Sequence, residues 1–258
     1  MATLLLRGVP IGTIQGVLFD KDGTLSFSEP HLLDLAERRI QIAEELWHCQ
    51  DPSPTEENTL GPMLRRAFGV QGDQLHPGGT LAVAARQDNL TTMATVFCLH
   101  GCSWPSAIAL AQSCFDQCDQ QEHDRNSISP LLDGAEDLLR SLHSRGITNA
   151  IISNDTRAGI HAFLQHHGLR DLIAACWSAD DTPRKPDPAA VLSLCSRLGL
   201  DPEECALIGD AETDLQMAAA AGIRFVIGYG GGWGLTPELP SATHWLDNWA
   251  EMGLEADP

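Results

Sequence analysis

Two aspartates separated by one residue, Asp20 and Asp22, stand in the segment Gly16-Val-Leu-Phe-Asp-Lys-Asp-Gly-Thr-Leu25. Carboxylates at i and i+2, just past an apolar run, can turn toward one crevice, and Gly23 lets the backbone bend sharply behind them. One carboxylate can attack phosphorus while its neighbour moves a proton, or the pair can hold a hard cation through oxygen. Ser153-Asn154-Asp155 offers a hydroxyl, an amide and backbone N–H groups where a helical pattern begins, a cradle for an anion. Lys185, among the prolines of Pro183-Arg-Lys-Pro-Asp-Pro188, is a held ammonium able to neutralise phosphate or an attacking carboxylate. In Gly209-Asp-Ala-Glu-Thr-Asp214, Asp210 and Asp214 lie one helical turn apart, as an added metal ligand and its outer partner.

Each segment alone has an ordinary alternative. Asp-x-Asp-Gly occurs in calcium loops and plain turns, and Ser-Asn commonly caps a helix. Lys185 alone reads as a solvated surface residue, and Asp210 as a helix cap. Together, in this order, they supply the different parts of a phosphoryl-transfer site.

The elements that must position them can be read from the apolar pattern. Ile14 to Phe19, Ile147 to Ile152 and Cys205 to Ile208 are short, nearly continuous apolar runs, as expected of strands covered on both faces. A fourth, Ile223 to Ile227, leads into the glycine-rich stretch Gly228 to Gly234. Helical patterns lie between them: Asp133 to Leu142, Asp155 to His167 (stopped by Gly168), Pro188 to Leu198 (stopped by Gly199) and Leu215 to Ala221. Strand and helix in alternation predict an α/β protein with a doubly wound, Rossmann-like parallel sheet. The functional groups then gather at the carboxyl ends of the strands.

Residues 26–129 break this rhythm. Leu32 to Trp47, Leu60 to Phe68 and Ala107 to Cys118 are amphipathic helical patterns, no strand is expected, and Asp51-Pro-Ser-Pro54 and His76-Pro-Gly-Gly79 read as linkers. The expected organisation is an α/β core from 1–25 and 130–258, interrupted by a mostly helical domain at 26–129.

The formal net charge is −19. That field argues against nucleic acid and anionic lipid as partners, and a phosphorylated substrate then needs a local cation. No run of 18 apolar residues exists to span a membrane. Leu4-Leu5-Leu6 is too short for a signal peptide and reads as a leading strand or arm, so the cytoplasm is the expected address. The eight cysteines include the pairs Cys98/Cys102 and Cys114/Cys118, whose wide spacing suits free thiols better than a structural zinc site.

The four motifs in this order resemble the haloacid dehalogenase (HAD) superfamily of aspartate-nucleophile hydrolases, from about Thr13 to Phe27 and from Ser129 to Leu246. The general look is that of its phosphoglycolate-phosphatase-like branch. The resemblance implies that Asp20 is the nucleophile and becomes an aspartyl-phosphate, with Asp22 protonating the leaving oxygen and then activating water. It implies Mg²⁺ held by the Asp20 carboxylate, the Asp22 carbonyl and the Asp210 carboxylate. Ser153 and the Asn154 amide would hold the phosphoryl oxygens, Lys185 would offset charge on Asp20 and phosphate, and Asp214 would orient a water or Lys185. The helical domain would be a cap that excludes water and recognises a small phosphorylated metabolite. An aspartate at position 22 points to phosphate ester hydrolysis, because dehalogenases and phosphonatases lack an acid there. A phosphomutase of the same fold keeps both aspartates and is the alternative; a non-catalytic phospho-acceptor module, in the manner of receiver domains, leaves Asp22 without a purpose.

Other conspicuous residues have plainer readings. His161, His166 and His167 read as surface histidines, and Arg65, Arg66 and Arg86 as partners of surface acids. Gly228 to Gly234 lacks the spacing of a dinucleotide fingerprint and reads as a loop near the mouth of the site. Trp104, Trp177, Trp233, Trp245 and Trp249 read as packing.

Overall fold

The computed structural model describes residues 1–50, 59–125 and 128–255, so the linker expected at Asp51–Pro54 lies outside the described residues. The chain divides into two compact units, one of Met1–Ser28 with Ile128–Pro258, the other of Glu29–Ser127.

The first unit opens with β1 (Ala2–Leu6) and β2 (Val9–Ile14), an antiparallel pair. The apolar run from Ile14 to Phe19, expected as one strand, is in fact divided between two sheets. Ile14 ends β2, and β3 (Gly16–Phe19) begins after Gln15, whose N–H donates to the Glu204 carbonyl at 2.8 Å. Gly16 permits the crossing, since a Cβ there would stand 2.6 Å from Leu200.

The second unit contains α1 (Glu29–Gln50), α2 (Leu60–Phe68), a hairpin of β4 (Val70–Gln71) and β5 (Gln74–Leu75), α3 (Thr80–Val83), α4 (Arg86–Leu99) and α5 (Trp104–Arg125). The hairpin departs from the expected absence of strands. It turns at Gly72-Asp73, with Gly72 at φ 63°, the left-handed conformation such two-residue turns need. Helix α4 gave no clear sequence signal because threonine favours helices weakly; Thr91, Thr92 and Thr95 each donate to the carbonyl four residues back. Ala107, Ala111, Cys114, Phe115 and Cys118 form the buried face of α5, so this cysteine pair belongs to the core of the unit. Arg65 pairs with Glu37, and Arg86 with Asp116 and Asp119. Trp104, expected to pack, is half exposed.

Returning to the first unit, the chain forms α6 (Ala135–Ser144), β6 (Thr148–Ile152), α7 (Arg157–His166), β7 (Ala175–Trp177), α8 (Pro188–Leu198), β8 (Cys205–Gly209), α9 (Glu212–Ala220), β9 (Phe225–Tyr229), β10 (His244–Leu246) and β11 (Met252–Leu254). Strand β11 joins β1 and β2 in a small antiparallel sheet. The other strands form a six-stranded parallel sheet in the order β10-β9-β8-β3-β6-β7. The short edge strands β7 and β10 were not expected.

Period-two alternation explains why the central strands are apolar throughout. Val17, Phe19, Ile151, Ala206 and Ile208 face one core with Leu138, Leu139, Leu142, Ile160 and Phe163 of α6 and α7. Leu18, Ala150, Ile152 and Leu207 face the other, with Val191 and Leu194 of α8 and Leu215 of α9. Among the described residues, no helix is long and apolar enough to cross a membrane.

Candidate active site

The sheet order makes β3 central, with β6 and β7 on one side and β8 to β10 on the other, so the winding direction reverses between β3 and β8. Side chains beyond the carboxyl ends of strands at such a switch point face an open crevice. The register aligns these ends: Phe19 pairs with Ile151 of β6 and with Ile208 of β8. Asp20, Ser153 and Asp210 therefore emerge together, and the Asp20 N–H is fixed on the Ile208 carbonyl at 2.9 Å.

Lys185 meets them from the loop before α8. The Trp177 indole donates to the Pro183 carbonyl at 2.7 Å, and Asp187 caps α8 by accepting from the Ala189 N–H, so both ends of the loop are tied. The Lys185 ammonium lies 2.6 Å from Asp20 Oδ1, 2.8 Å from Asp214 Oδ1 and 3.3 Å from the Ile152 carbonyl. The surface reading of Lys185 is thereby excluded: its side chain is 3% exposed. Burial works to lower its proton affinity, but Asp20 and Asp214 outweigh that and raise it, so it remains an ammonium.

Asp210 is gripped from two sides. Thr24 Oγ1 donates to Oδ1 at 2.6 Å, and the Trp233 indole Nε1 donates to Oδ2 at 2.6 Å. Gly23, at φ 78°, makes room for this, because a Cβ there would stand 2.5 Å from Asp210 Oδ2. Trp233 is buried, as expected of packing, and it also binds Asp210 of the candidate site; the loop that carries it passes against the Gly23 backbone. The tryptophan count held no signal for this; only the position of Trp233 after a strand-terminal glycine run hinted at it.

Asp22 occupies a neighbouring cluster. Lys21 Nζ lies 2.7 Å from Asp22 Oδ1 and 3.1 Å from Asp155 Oδ2, and Ser28 Oγ (2.5 Å) and Ser26 Oγ (3.3 Å) also donate to Asp22 Oδ1. Burial favours the protonated acid at Asp22, yet the Lys21 charge and the bonds from Lys21, Ser28 and Ser26 prevail and hold its pKa below the ordinary range. From its position in the sequence Lys21 carries no expected role, and Asp155 is expected to start a helix. Helix α7 instead begins at Arg157 under a Thr156 cap, and the Arg157 N–H is taken by Asp180 at 2.9 Å. The first turn of α7 is therefore not the expected anion cradle. That role would fall to Ser153, 3% exposed, and to the adjoining Asn154 amide ahead of the helix.

Three carboxylates, Asp20, Asp210 and Asp214, stand around a single ammonium. Burial pushes Asp20 well above the usual carboxylate range; Lys185 opposes this, while Asp214 and Asp210 add to it. Burial also lifts Asp210 to about 6, against hydrogen bonds from Thr24 and Trp233. The cluster is short of positive charge, and its donors are hard oxygens. Among the described residues, no group of three or more His, Cys, Asp or Glu side chains is arranged to hold a metal. A cation here would rest on two carboxylates and a backbone carbonyl, with water completing its shell, a donor set that suits Mg²⁺.

The haloacid dehalogenase-like hydrolase profile matches residues 14–222, and the chain belongs to that family of hydrolases. The chain is 30% identical over 216 residues to a phosphoglycolate phosphatase of Rhodospirillum rubrum, covering 83% of this chain and 78% of that protein. It is 29% identical over 215 residues to a phosphoglycolate phosphatase of Cereibacter sphaeroides, covering 82% and 84% respectively. The structure of a predicted phosphoglycolate phosphatase from Haemophilus somnus shares the fold, with a TM-score of 0.64, 19% identity and coverage of 93% and 97%.

Proposed function

We propose that the protein is a Mg²⁺-dependent phosphatase that hydrolyses a small phosphomonoester through an aspartyl-phosphate on Asp20. One observation carries this reading: Asp20 stands at the end of the central strand with Lys185 on Oδ1, while no hydrogen bond or ion pair among the described residues falls on Oδ2. Oδ2 is the nucleophilic oxygen. It attacks phosphorus as the bond from phosphorus to the ester oxygen breaks, and Asp22, which must first take up a proton because Lys21 favours its ionised form, passes that proton to the ester oxygen. Water then attacks the phosphoryl group, Asp22 takes its proton, and the bond to Asp20 breaks to release phosphate. Ser153 and the Asn154 amide hold the phosphoryl oxygens in place. Lys185 keeps Asp20 oriented and offsets charge; Asp214 holds Lys185.

Asp20, Asp210 and the Asp22 carbonyl would hold Mg²⁺, which supplies the positive charge that the carboxylate cluster lacks and polarises the phosphoryl group. The substrate we favour is 2-phosphoglycolate, on the strength of the two named relatives. Choice among esters is assigned to the helical unit Glu29–Ser127. Eight cysteines free of disulfides agree with a reducing compartment such as the cytoplasm.

The test is phosphate release from a panel of phosphomonoesters by purified protein with Mg²⁺. Hydrolysis is expected, with 2-phosphoglycolate among the better substrates. A poor rate on that ester would remove the substrate, and no release from any ester would remove the phosphatase.

A further inference from the structure

We infer that Lys21 is a positioning residue for proton transfer: it pins one oxygen of Asp22 and leaves the other as the working oxygen. The inference rests on the phosphatase reading above and deepens it. Every hydrogen bond or ion pair that the Asp22 carboxylate makes among the described residues falls on Oδ1: Lys21 Nζ at 2.7 Å, Ser28 Oγ at 2.5 Å and Ser26 Oγ at 3.3 Å. None falls on Oδ2, and the side chain remains 26% exposed. A carboxylate held at one oxygen by three donors is fixed in orientation, so its free oxygen meets the ester oxygen in a defined place.

Lys21 is itself held. Its side chain is 8% exposed, its ammonium is 3.1 Å from Asp155 Oδ2, and it lies 5.5 Å from the centre of the Phe163 ring. Its carbonyl accepts from the N–H groups of Leu25 and Ser26, both at 2.9 Å. Asp155 directly follows Ser153 and Asn154, and Ser153 Oγ accepts from the Asp155 N–H at 3.1 Å. One buried ammonium therefore joins the acid on the β3 side to the segment proposed to hold the phosphoryl group on the β6 side. The ester oxygen that needs a proton is bonded to that same phosphorus, so fixing these two segments fixes the proton's path. A surface lysine would not be buried between two carboxylates in this way.

The experiment compares Lys21→Met with wild type by kcat/KM, which reports only steps up to the aspartyl-phosphate. Two substrates are used: an alkyl phosphate, whose leaving alkoxide needs a proton, and p-nitrophenyl phosphate, whose leaving phenolate does not. Removing the positioning of a general acid is expected to lower kcat/KM for the alkyl ester on the order of 100-fold. The aryl ester should lose several-fold at most. Ser28→Ala, which removes a single donor to Oδ1, should show the same selectivity in smaller measure, and it decides the matter if Lys21→Met does not fold. Equal losses on both esters, or no loss on either, would overturn the inference while leaving the phosphatase standing. A wild-type protein inactive on both esters would instead remove the reading on which it rests.

Discussion

The indole N–H of Trp233 donates to Asp210 Oδ2 over 2.6 Å, so a residue from the loop after β9 holds a carboxylate at the end of β8. Trp233 is buried, and its ring meets the segment of Asp20 and Asp22 at Gly23. Groups that hydrogen-bond a metal ligand orient it, and losing one typically weakens metal binding 10–100-fold. Trp233→Phe keeps the ring and removes the donor. Titration calorimetry should show Mg²⁺ affinity reduced by about tenfold. Unchanged affinity would mean that the indole only packs there.

Asp20→Asn keeps the shape of the proposed nucleophile and removes its attacking charge. Turnover of p-nitrophenyl phosphate should fall by at least ~10⁴-fold, as expected when a covalent nucleophile is lost. Circular dichroism should match wild type. Substantial remaining turnover would exclude Asp20 as the nucleophile.

Lys185 is the single ammonium between Asp20 and Asp214, and all three are buried. Replacing it with methionine leaves two buried carboxylates without their partner, a change that costs about 3–5 kcal/mol when a buried pair is broken. Denaturant unfolding of Lys185→Met should show a loss of that order. Lys185→Met/Asp214→Asn should recover part of it, because one of the stranded charges is gone.

The metal-free protein should show the strain of its carboxylates in its pH dependence. Folding raises Asp210 from its ordinary 3.8 to about 6. A raised carboxyl binds its proton more tightly in the folded chain, so its contribution to stability is complete below about 4 and is lost as pH rises through about 6. In chelator, the melting temperature of wild type relative to Asp210→Asn should therefore fall between pH 4 and pH 7. A constant difference between the two proteins across that range would contradict the assignment. Mg²⁺ added at pH 7 should stabilise wild type by favouring the ionised form, and Asp210→Asn much less.

The sequence by itself determined the alternation of strands and helices, and hence the parallel sheet with a candidate site at its carboxyl ends. Apolar runs buried on both faces need no partner to be recognised, and glycine stops mark the ends of α8 and α9. It also pointed to Asp20, Ser153 and Asp210, each directly after a strand, to Asp22 two residues beyond Asp20, and to Lys185 in a proline-punctuated loop. Local pattern failed where an element is short or weakly patterned, as in the edge strands β7 and β10, the hairpin of the helical unit and the threonine-rich α4. The tertiary structure alone decided which charges meet. That Lys21 also meets Asp155, that Lys185 bridges Asp20 and Asp214, and that Trp233 reaches Asp210 all depend on contacts between residues far apart in the chain. Burial and distance set the strength of an electrostatic contact, and neither is written in residue type or spacing.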